Sequence, residues 1–524
     1  MPFTSGESRF AHVFSRVGQF SDTLSWSSGR HYVRAGGSIA RNTSGGDGTE
    51  FGSAFVLGQY TLNAASTTPI AQLTLADVQR YQQSFNLGIG AYELGQWIGN
   101  VFVQDSIRLR TDLTVDAGLR YDRQTFSDGT RNFAPRAGVG WNPGSNPRTT
   151  VRGGYGLYFT MLRANNDANF ELGGPRGILT YTAVPGQTGF PACLACTPVP
   201  FDQNSAKSTL PPRNITIRPG MAAFYSQFFD VSKLPGYASA RWINPKSQVG
   251  SIGIEREIAP RIFVAADYVK QHWTDLDRTV DLNAPSLFVR TAPGQVRSAA
   301  AADATRPILP VNGGFRQINV MENLGVADYD GLQTMLRWQE ERSFLSISYT
   351  LSKATNTTEP NGNGAGPNDF NQLGEEERGP SLLDQRHRAV VAASYRFPLK
   401  ITAGGVVSLA SAKPFNPTTG VDNNGDGNNN DRPVINGVVA GRYSFRGTVL
   451  YDTSLFAEYR VKLRGPAATL RLEGFNVFNR ANVLGRNGAY GDATTPLATF
   501  GQALPGLANI EPGRMLQFQA RLDF

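Results

Sequence analysis

The chain has 524 residues, of which 40% are hydrophobic and only 18% charged, with 57 Gly, 31 Phe and 18 Tyr. No run approaches the roughly 18 uninterrupted apolar residues of a membrane helix, which excludes spanning by helices but not by strands, because alternation halves a strand's apparent hydrophobicity. The formal charge of +8 comes from scattered Lys and Arg without a basic block, so nucleic-acid recognition is not indicated, and a positive surface toward anionic lipid is the easier reading.

Residues Met1 to Phe10 lack a charged segment followed by an apolar one, so no export signal is read there, and a barrel reading then predicts a carboxyl-terminal piece or a start placed too late. Alternating, strand-like segments follow at 6–16, 18–28, 30–43, 50–61, 79–90, 95–109, 113–122, 130–142 and 147–160. They continue at 245–258, 260–274, 327–341, 344–353, 384–397, 400–412, 447–462, 466–479 and 515–524. From Leu113 to Asp122 the apolar set is Leu113, Val115, Ala117, Leu119 and Tyr121, against Thr114, Asp116, Gly118, Arg120 and Asp122. The last segment sets Leu516, Phe518, Ala520, Leu522 and Phe524 against Gln517, Gln519, Arg521 and Asp523. A period of two marks strands with two unlike surroundings, and an outer-membrane barrel closes on such a terminal strand.

The connectors sort by length. Tight turns at 27–30, 110–112, 142–148, 259–260, 340–342, 398–400 and 464–466 alternate with long connectors at 161–244, 275–326, 354–383, 413–446 and 480–511. A sandwich or propeller has no reason to sort loops onto alternate ends, whereas a membrane barrel has short periplasmic turns and long extracellular loops. The exception is 62–78, a longer stretch on the turn side. The fold class expected is therefore all-β: one transmembrane antiparallel barrel over 1–524, with roughly eighteen strands. Aromatics near strand ends, among them Tyr121, Tyr155, Tyr158, Phe159, Trp273, Trp338, Tyr349, Tyr395 and Phe397, suit interfacial girdles but also fill soluble cores.

Several motifs resemble one family. Trp97 to Ser106 (WIGNVFVQDS), Leu113 to Asp122 (LTVDAGLRYD), Phe133 to Trp141 and Val151 to Phe159 are similar to the central barrel signature of TonB-dependent outer-membrane receptors. Gly253 to Glu257, Ala265 to Val269, Ser348 to Lys353, Asp384 to Arg388, Asp422 to Asp426, Asn430 to Pro433 and Glu473 to Arg480 follow in order and resemble the Oar-like branch, whose members carry a carboxypeptidase-regulatory-like domain before the plug. The match runs from about residue 20 to the end. It implies a barrel of about 22 strands that takes up a bulky ligand with energy from the TonB complex. It also implies outer-membrane lipid and lipopolysaccharide as surroundings, and engagement of the barrel assembly machinery by the strand ending at Phe524. No TonB box, plug or amino-terminal β-sandwich is matched, so contact with TonB is expected only through a missing amino-terminal part. About four strands are expected to be absent, an even number because both ends of a whole barrel face the periplasm. The alternatives are a surface adhesion or structural barrel without active transport, and a soluble all-β protein.

Candidate sites are few. Cys193 and Cys196 stand in Cys-Leu-Ala-Cys without a second Cys/His pair at ligand spacing, so a small disulfide in an exposed loop is expected rather than a redox pair or half a zinc site. Asp422, Asn424, Asp426 and Asp431 resemble the opening of a calcium loop, with oxygen donors at alternate positions around Gly427, but Pro433 stands where an EF-hand needs Glu. Structural Ca2+ and an ion-free Asn/Asp/Gly loop both remain open, and no other cofactor is expected. Loop 161–244 is rich in Pro and aromatics (Phe190, Phe201, Phe224, Tyr225, Phe228, Phe229); Phe224, Tyr225, Phe228 and Phe229 are the candidate contacts for an extracellular ligand of unknown identity, unless they pack on one another.

Glu375-Glu-Glu-Arg378 reads as a solvated loop tip before a site for a cationic ligand. Lumen-facing Asp116, Arg120, Arg471, Glu473, Arg521 and Asp523 read as cross-strand ion pairs before a translocation path. With four histidines (His12, His31, His272, His387), none paired at metal spacing, and no nucleophile elbow or Walker loop, no enzyme activity is expected.

Overall fold

The structure, a computed structural model, describes residues 2–3, 12–47, 58–62, 69–86, 92–162, 170–186, 190–197, 212–234, 236–311, 314–359, 374–462, 465, 467–506 and 509–523. Phe201 and Phe524 lie outside them. Seventeen strands join one sheet. Two of these, Arg213–Ile217 and Gly379–Pro380, are loop segments laid on longer strands, which leaves fifteen wall strands in an antiparallel meander. They are β1 (His12–Ser28), β2 (His31–Asp47), β3 (Tyr92–Arg110), β4 (Leu113–Gln124), β5 (Phe133–Trp141), β6 (Thr149–Phe159), β7 (Lys246–Ala259) and β8 (Ile262–Asp281). Then come β9 (Phe315–Gln339), β10 (Ser343–Asn356), β11 (His387–Arg396), β12 (Ile401–Ala410), β13 (Leu450–Lys462), β14 (Ala467–Phe475) and β15 (Met515–Asp523).

The register carries alternation unbroken from strand to strand. Leu336 pairs with Ile347, Ile347 with Val391 and Val391 with Val407, so one face is an apolar row. The neighbouring positions Asp116, Ser348 and Gln519 belong to the other face, which pairs Gly118 with Arg136 and Gln519 with Arg471. Apolar side chains of the first face stay exposed, Leu332 at 40%, Ile252 at 62% and Phe518 at 68%, while the buried hydrophobic clusters among the described residues lie in the connecting loops and on the upper ends of β8 and β9. A face this apolar needs hydrocarbon as its solvent, and the polar face lines the lumen.

The fifteen wall strands differ from the expected eighteen for two reasons. Segments 6–16 and 18–28 contribute a single strand, β1. Segments 50–61 and 79–90 leave the wall, because Gln59–Leu62 and Val78–Asn86 pair with each other and with Ile178–Ala183 and Pro2–Phe3 in a four-stranded sheet of the loop region. That sheet buries Tyr60, Val78, Tyr81 and Ala183 on one face. A core-and-solvent strand alternates just as a lipid-and-lumen strand does, so the period alone could not separate them. With 48–91 now one long connector between β2 and β3, the exception at 62–78 disappears, and short and long connections alternate except that the link 125–132 is hardly longer than the turn 142–148.

Strands β1 and β15 run in the same direction, and among the described residues each pairs with one neighbour only, β2 and β14. An antiparallel ring through both therefore needs an odd number of further strands between them, not an even one.

Of the girdle aromatics, Tyr121 and Tyr155 lie on the apolar face, as do Trp338 and Tyr349. Tyr158 and Trp273, both opposite Ser247, lie on the lumen face, one residue out of phase.

Candidate functional site

The long connectors meet above one end of the wall. In connector 161–244, Arg213–Ile217 runs parallel to the upper part of β9, setting Ile215 against Ile318 and Ile217 against Val320. The short helix Ala222–Tyr225 then brings its aromatics onto these four buried side chains. Tyr225 and Phe229 are buried, their rings stacked at 6.1 Å, and the Tyr225 hydroxyl accepts the Arg218 N–H at 2.8 Å. Burial pushes the Tyr225 phenol up to about 12. Phe224 and Phe228 stay partly accessible at the edge of this core, with the Arg176 guanidinium 5.7 and 5.5 Å from their rings. Two of the four candidate aromatics thus hold the loop together and two remain partly accessible.

Cys193 and Cys196 are joined, S–S 2.10 Å, over a sequence separation of 3. Tyr60 donates to the Cys193 carbonyl at 3.3 Å, and Phe190 and Leu194 pack on the Tyr60–Tyr81 core, so this bridge closes the small sheet.

Connector 413–446 is the hub of the loop roof. Arg432 makes a two-pronged pair with Glu377 at 2.9 and 2.6 Å, both side chains buried. Arg442 reaches Glu359 at 3.6 Å and bonds Asn356 at the end of β10. From connector 275–326, Arg290 pairs with Asp431 at 3.2 Å, and Arg306 bridges Asp281 at 3.0 Å and the Asp426 carbonyl at 2.8 Å. Asn423 donates to Asp492 at 2.7 Å, and Phe445 packs on Tyr490 and Phe500, which ties in connector 480–511. Three connectors are therefore locked by charge pairs held out of water, the arrangement in which removing one partner is most damaging, and the fourth, 480–511, is tied to them by a hydrogen bond and ring packing. Glu377 belongs to the acidic run read as a solvated tip. It is instead buried, because its carboxylate is matched by Arg432. The sequence showed no period here, only the motifs Glu375 to Arg378 and Asn430 to Pro433.

The candidate metal residues come together at this hub, but their oxygens already have work. Asp422 accepts the N–H groups of Gly425, Asp426 and Gly427 at 2.7, 3.1 and 2.9 Å. Asn424 accepts from Asp426 N–H at 2.9 Å, and Asp426 from Asn428 N–H at 2.7 Å. Asp431 takes the Asn423 N–H at 2.8 Å beside Arg290. No group of three or more His, Cys, Asp or Glu side chains among the described residues is placed to hold a metal ion. Burial, reinforced by mutual repulsion with Asp422, pushes Asp426 to about 6; burial does the same to Asp431, also to about 6, against the pull of Arg290. Gly425, at φ +75, cannot be replaced without strain, and a Cβ there would stand 2.9 Å from both the Ala302 Cβ and the Arg297 carbonyl.

Below the roof, the lumen face carries ion pairs, but most of those expected across strands form instead between residues two apart on one strand. Arg471 sits between Glu458 and Glu473 at 3.3 and 2.7 Å, Arg120 bonds Asp122 at 2.9 Å and Arg521 bonds Asp523 at 2.6 Å. His387 meets the Tyr349 hydroxyl at 2.8 Å on the apolar face, a strand-to-strand contact rather than a reactive pair.

A family model described as "Outer membrane beta barrel domain" matches residues 3–129 and 123–461, and the chain belongs to that family. It is an integral outer-membrane protein. Its fold is similar to the outer membrane transporter YddB from Escherichia coli, at 11% identity and a TM-score of 0.56, covering 98% of this chain and 54% of that one. It is also similar to the siderophore receptor PirA from Acinetobacter baumannii, at 12% identity and TM-score 0.52, over 98% and 55% of the two chains. The ferric enterobactin receptor PfeA from Pseudomonas aeruginosa gives 12% identity and TM-score 0.51, over 98% and 54%. The chain thus spans about half the length of these structures. None of the curated proteins compared matches its sequence.

Proposed function

We propose that the chain is barrel wall and loop roof of a TonB-dependent receptor of the Oar-like branch, which takes up a bulky extracellular ligand without catalysis. The observation that carries this reading is the combination of a charged lumen face with a roof of long, interlocked connectors confined to one end of the wall. Such a roof offers a capture surface over a polar passage, and the structures of like fold are named as transporters and siderophore receptors. The inner-membrane TonB complex supplies the energy, and Phe224 and Phe228, with Arg176 beside them, are candidate first contacts of the ligand.

A second reading, a surface adhesion barrel, is favoured by the rigidity that buried pairs such as Arg432–Glu377 give the roof. One experiment separates the two. Cells with the gene, without it, and with it after collapse of the proton-motive force are compared for accumulation of labelled ferric siderophores, peptides and oligosaccharides. Transport predicts accumulation that needs both the gene and the force; gene-dependent surface binding without accumulation would favour adhesion and end the transport reading.

A further inference from the structure

Where the upper ends of β6 to β10 meet the roof, the lumen face is hollow. The register sets Trp273 opposite Ala327 and Tyr329 opposite Ala354, so two small side chains lie among two large rings. The hollow they leave, closed by Met161, Leu162 and Leu276, has a volume of about 330 Å³. That is within the range of small-molecule sites, roughly 300–1,000 Å³.

The wall of this cavity is held before any ligand arrives. Gln124, fully buried, clamps residue 162 from both sides: its Oε1 accepts the Leu162 N–H at 2.8 Å and its Nε2 donates to the Leu162 carbonyl at 2.7 Å. The Leu162 side chain is buried in a cluster with Phe170 and Trp242, whose rings meet edge to face at 5.6 Å. Thr160 is fixed at both ends, its N–H on the Pro245 carbonyl at 2.8 Å and its carbonyl on Asn244 at 3.1 Å.

The carboxylates and the amide on the lining already have protein partners, Asp277 among them, which accepts from Asn323 at 3.1 Å. Glu359 accepts Leu382 N–H at 2.8 Å and the Ser381 hydroxyl at 3.3 Å beside Arg442, and Asp328 is taken by His272 and Arg378, each at 2.7 Å. Asn356 accepts from Arg442, and no Lys or Arg lines the cavity. An anion would enter beside the carboxylates of Asp277, Asp328 and Glu359 with no cation on the lining to offset it, whereas an apolar group gains about 25 cal/mol per Å² removed from water, with a further gain against aromatic rings.

We infer that this cavity is a preformed binding pocket for an aromatic group that carries no negative charge, the apolar part of the ligand of the receptor proposed above, on which reading it rests. The site lies at the lumen side of the rim, and Phe224 and Phe228 are not on its lining; it gives the cargo a chemical requirement, a ring without negative charge.

The test uses the full-length gene product in lipid nanodiscs with 5-fluoroindole as probe, followed by fluorine NMR. The wild-type protein is expected to bind saturably. Ala354→Trp and Ala327→Trp, each filling the hollow from one strand, are expected to weaken binding at least tenfold while heat-modifiable gel mobility stays as in wild type. The charged analogue 5-fluoroindole-3-acetate is expected to bind at least tenfold more weakly than 5-fluoroindole. Equal signals from wild type and both variants would mean partition into lipid and overturn the pocket; equal binding of the charged analogue would overturn the ligand class. Should either variant misfold, Gln124→Leu, which releases the Leu162 clamp, must weaken binding in its place, and unchanged affinity would again overturn the pocket. Saturable binding in a protein that accumulates nothing in cells would leave the pocket standing and remove the transport reading, so the two fail separately.

Discussion

The wall and the roof use the same charged partners to different ends. On the lumen face Arg471 lies between Glu458 and Glu473 with 30% of its side chain in water. In the roof Arg432 lies on Glu377 with 4% and 1% exposed. Exposed pairs are screened and contribute at most about 1 kcal/mol, whereas a buried pair that loses one member strands a charge at a cost of about 3–5 kcal/mol. The wall is held by its ladder and by the two solvents on its faces, and its charges are an interior finish. The roof has no continuous ladder, so its buried charges and rings decide whether it exists.

That contrast can be broken by substitution. Glu377→Ala should destabilise the roof by about 3–5 kcal/mol, read as faster hydrogen exchange in peptides of 413–446 with wall peptides unchanged. Phe229→Ala should cost a comparable amount, about 3–5 kcal/mol, confined to 213–240, whereas Phe224→Ala at the edge of the same core should cost clearly less. Equal costs for the two rings would mean that the loop core is not ordered as described. Cys193→Ser removes a bridge closing a very short loop, so about 2 kcal/mol is expected from chain entropy, seen as local exchange around 59–86 and 190–197.

The pH dependence sharpens the comparison further, because the raised carboxyls belong to the roof. Asp426 and Asp431 titrate near 6 when folded, against about 4 in an unfolded chain. Between those values the folded loop binds more protons than the unfolded one, so its stability falls as pH rises through this window and is flat above it. Exchange in 413–446, corrected for the intrinsic rate, should therefore be slower at pH 4 than at pH 7, and Asp426→Asn should flatten the difference. The smallest effect belongs to the wall: Arg471→Ala should change stability by less than about 1 kcal/mol, and a loss as large as that of Glu377→Ala would erase the distinction between the two regions.

Legibility followed the same division. From Leu113 to Asp122 each residue's face could be read directly, and the register keeps Leu119 and Arg120 on opposite sides. The error at Gln59–Leu62 and Val78–Asn86 has a physical origin, since a half-buried soluble strand has the same period as a membrane one. Tyr158 and Trp273 were read by their position near strand ends, but one step along a strand reverses the face. Glu377 and Arg432 are 55 residues apart in the chain, and nothing local marks either as buried. Phe224 and Phe229 look alike in the sequence, and only the strand Arg213–Ile217 laid on β9 makes one an edge and the other a core.

The amino-acid order by itself determined that this protein is a ribbon of strands with two unlike faces and with its connectors sorted by length, because period and turn chemistry act over a few residues. Tertiary structure alone decided which strands belong to the wall, which carboxylates are buried and where the rim is hollow. Those outcomes depend on contacts between segments far apart in the chain, whose free energy no local pattern records.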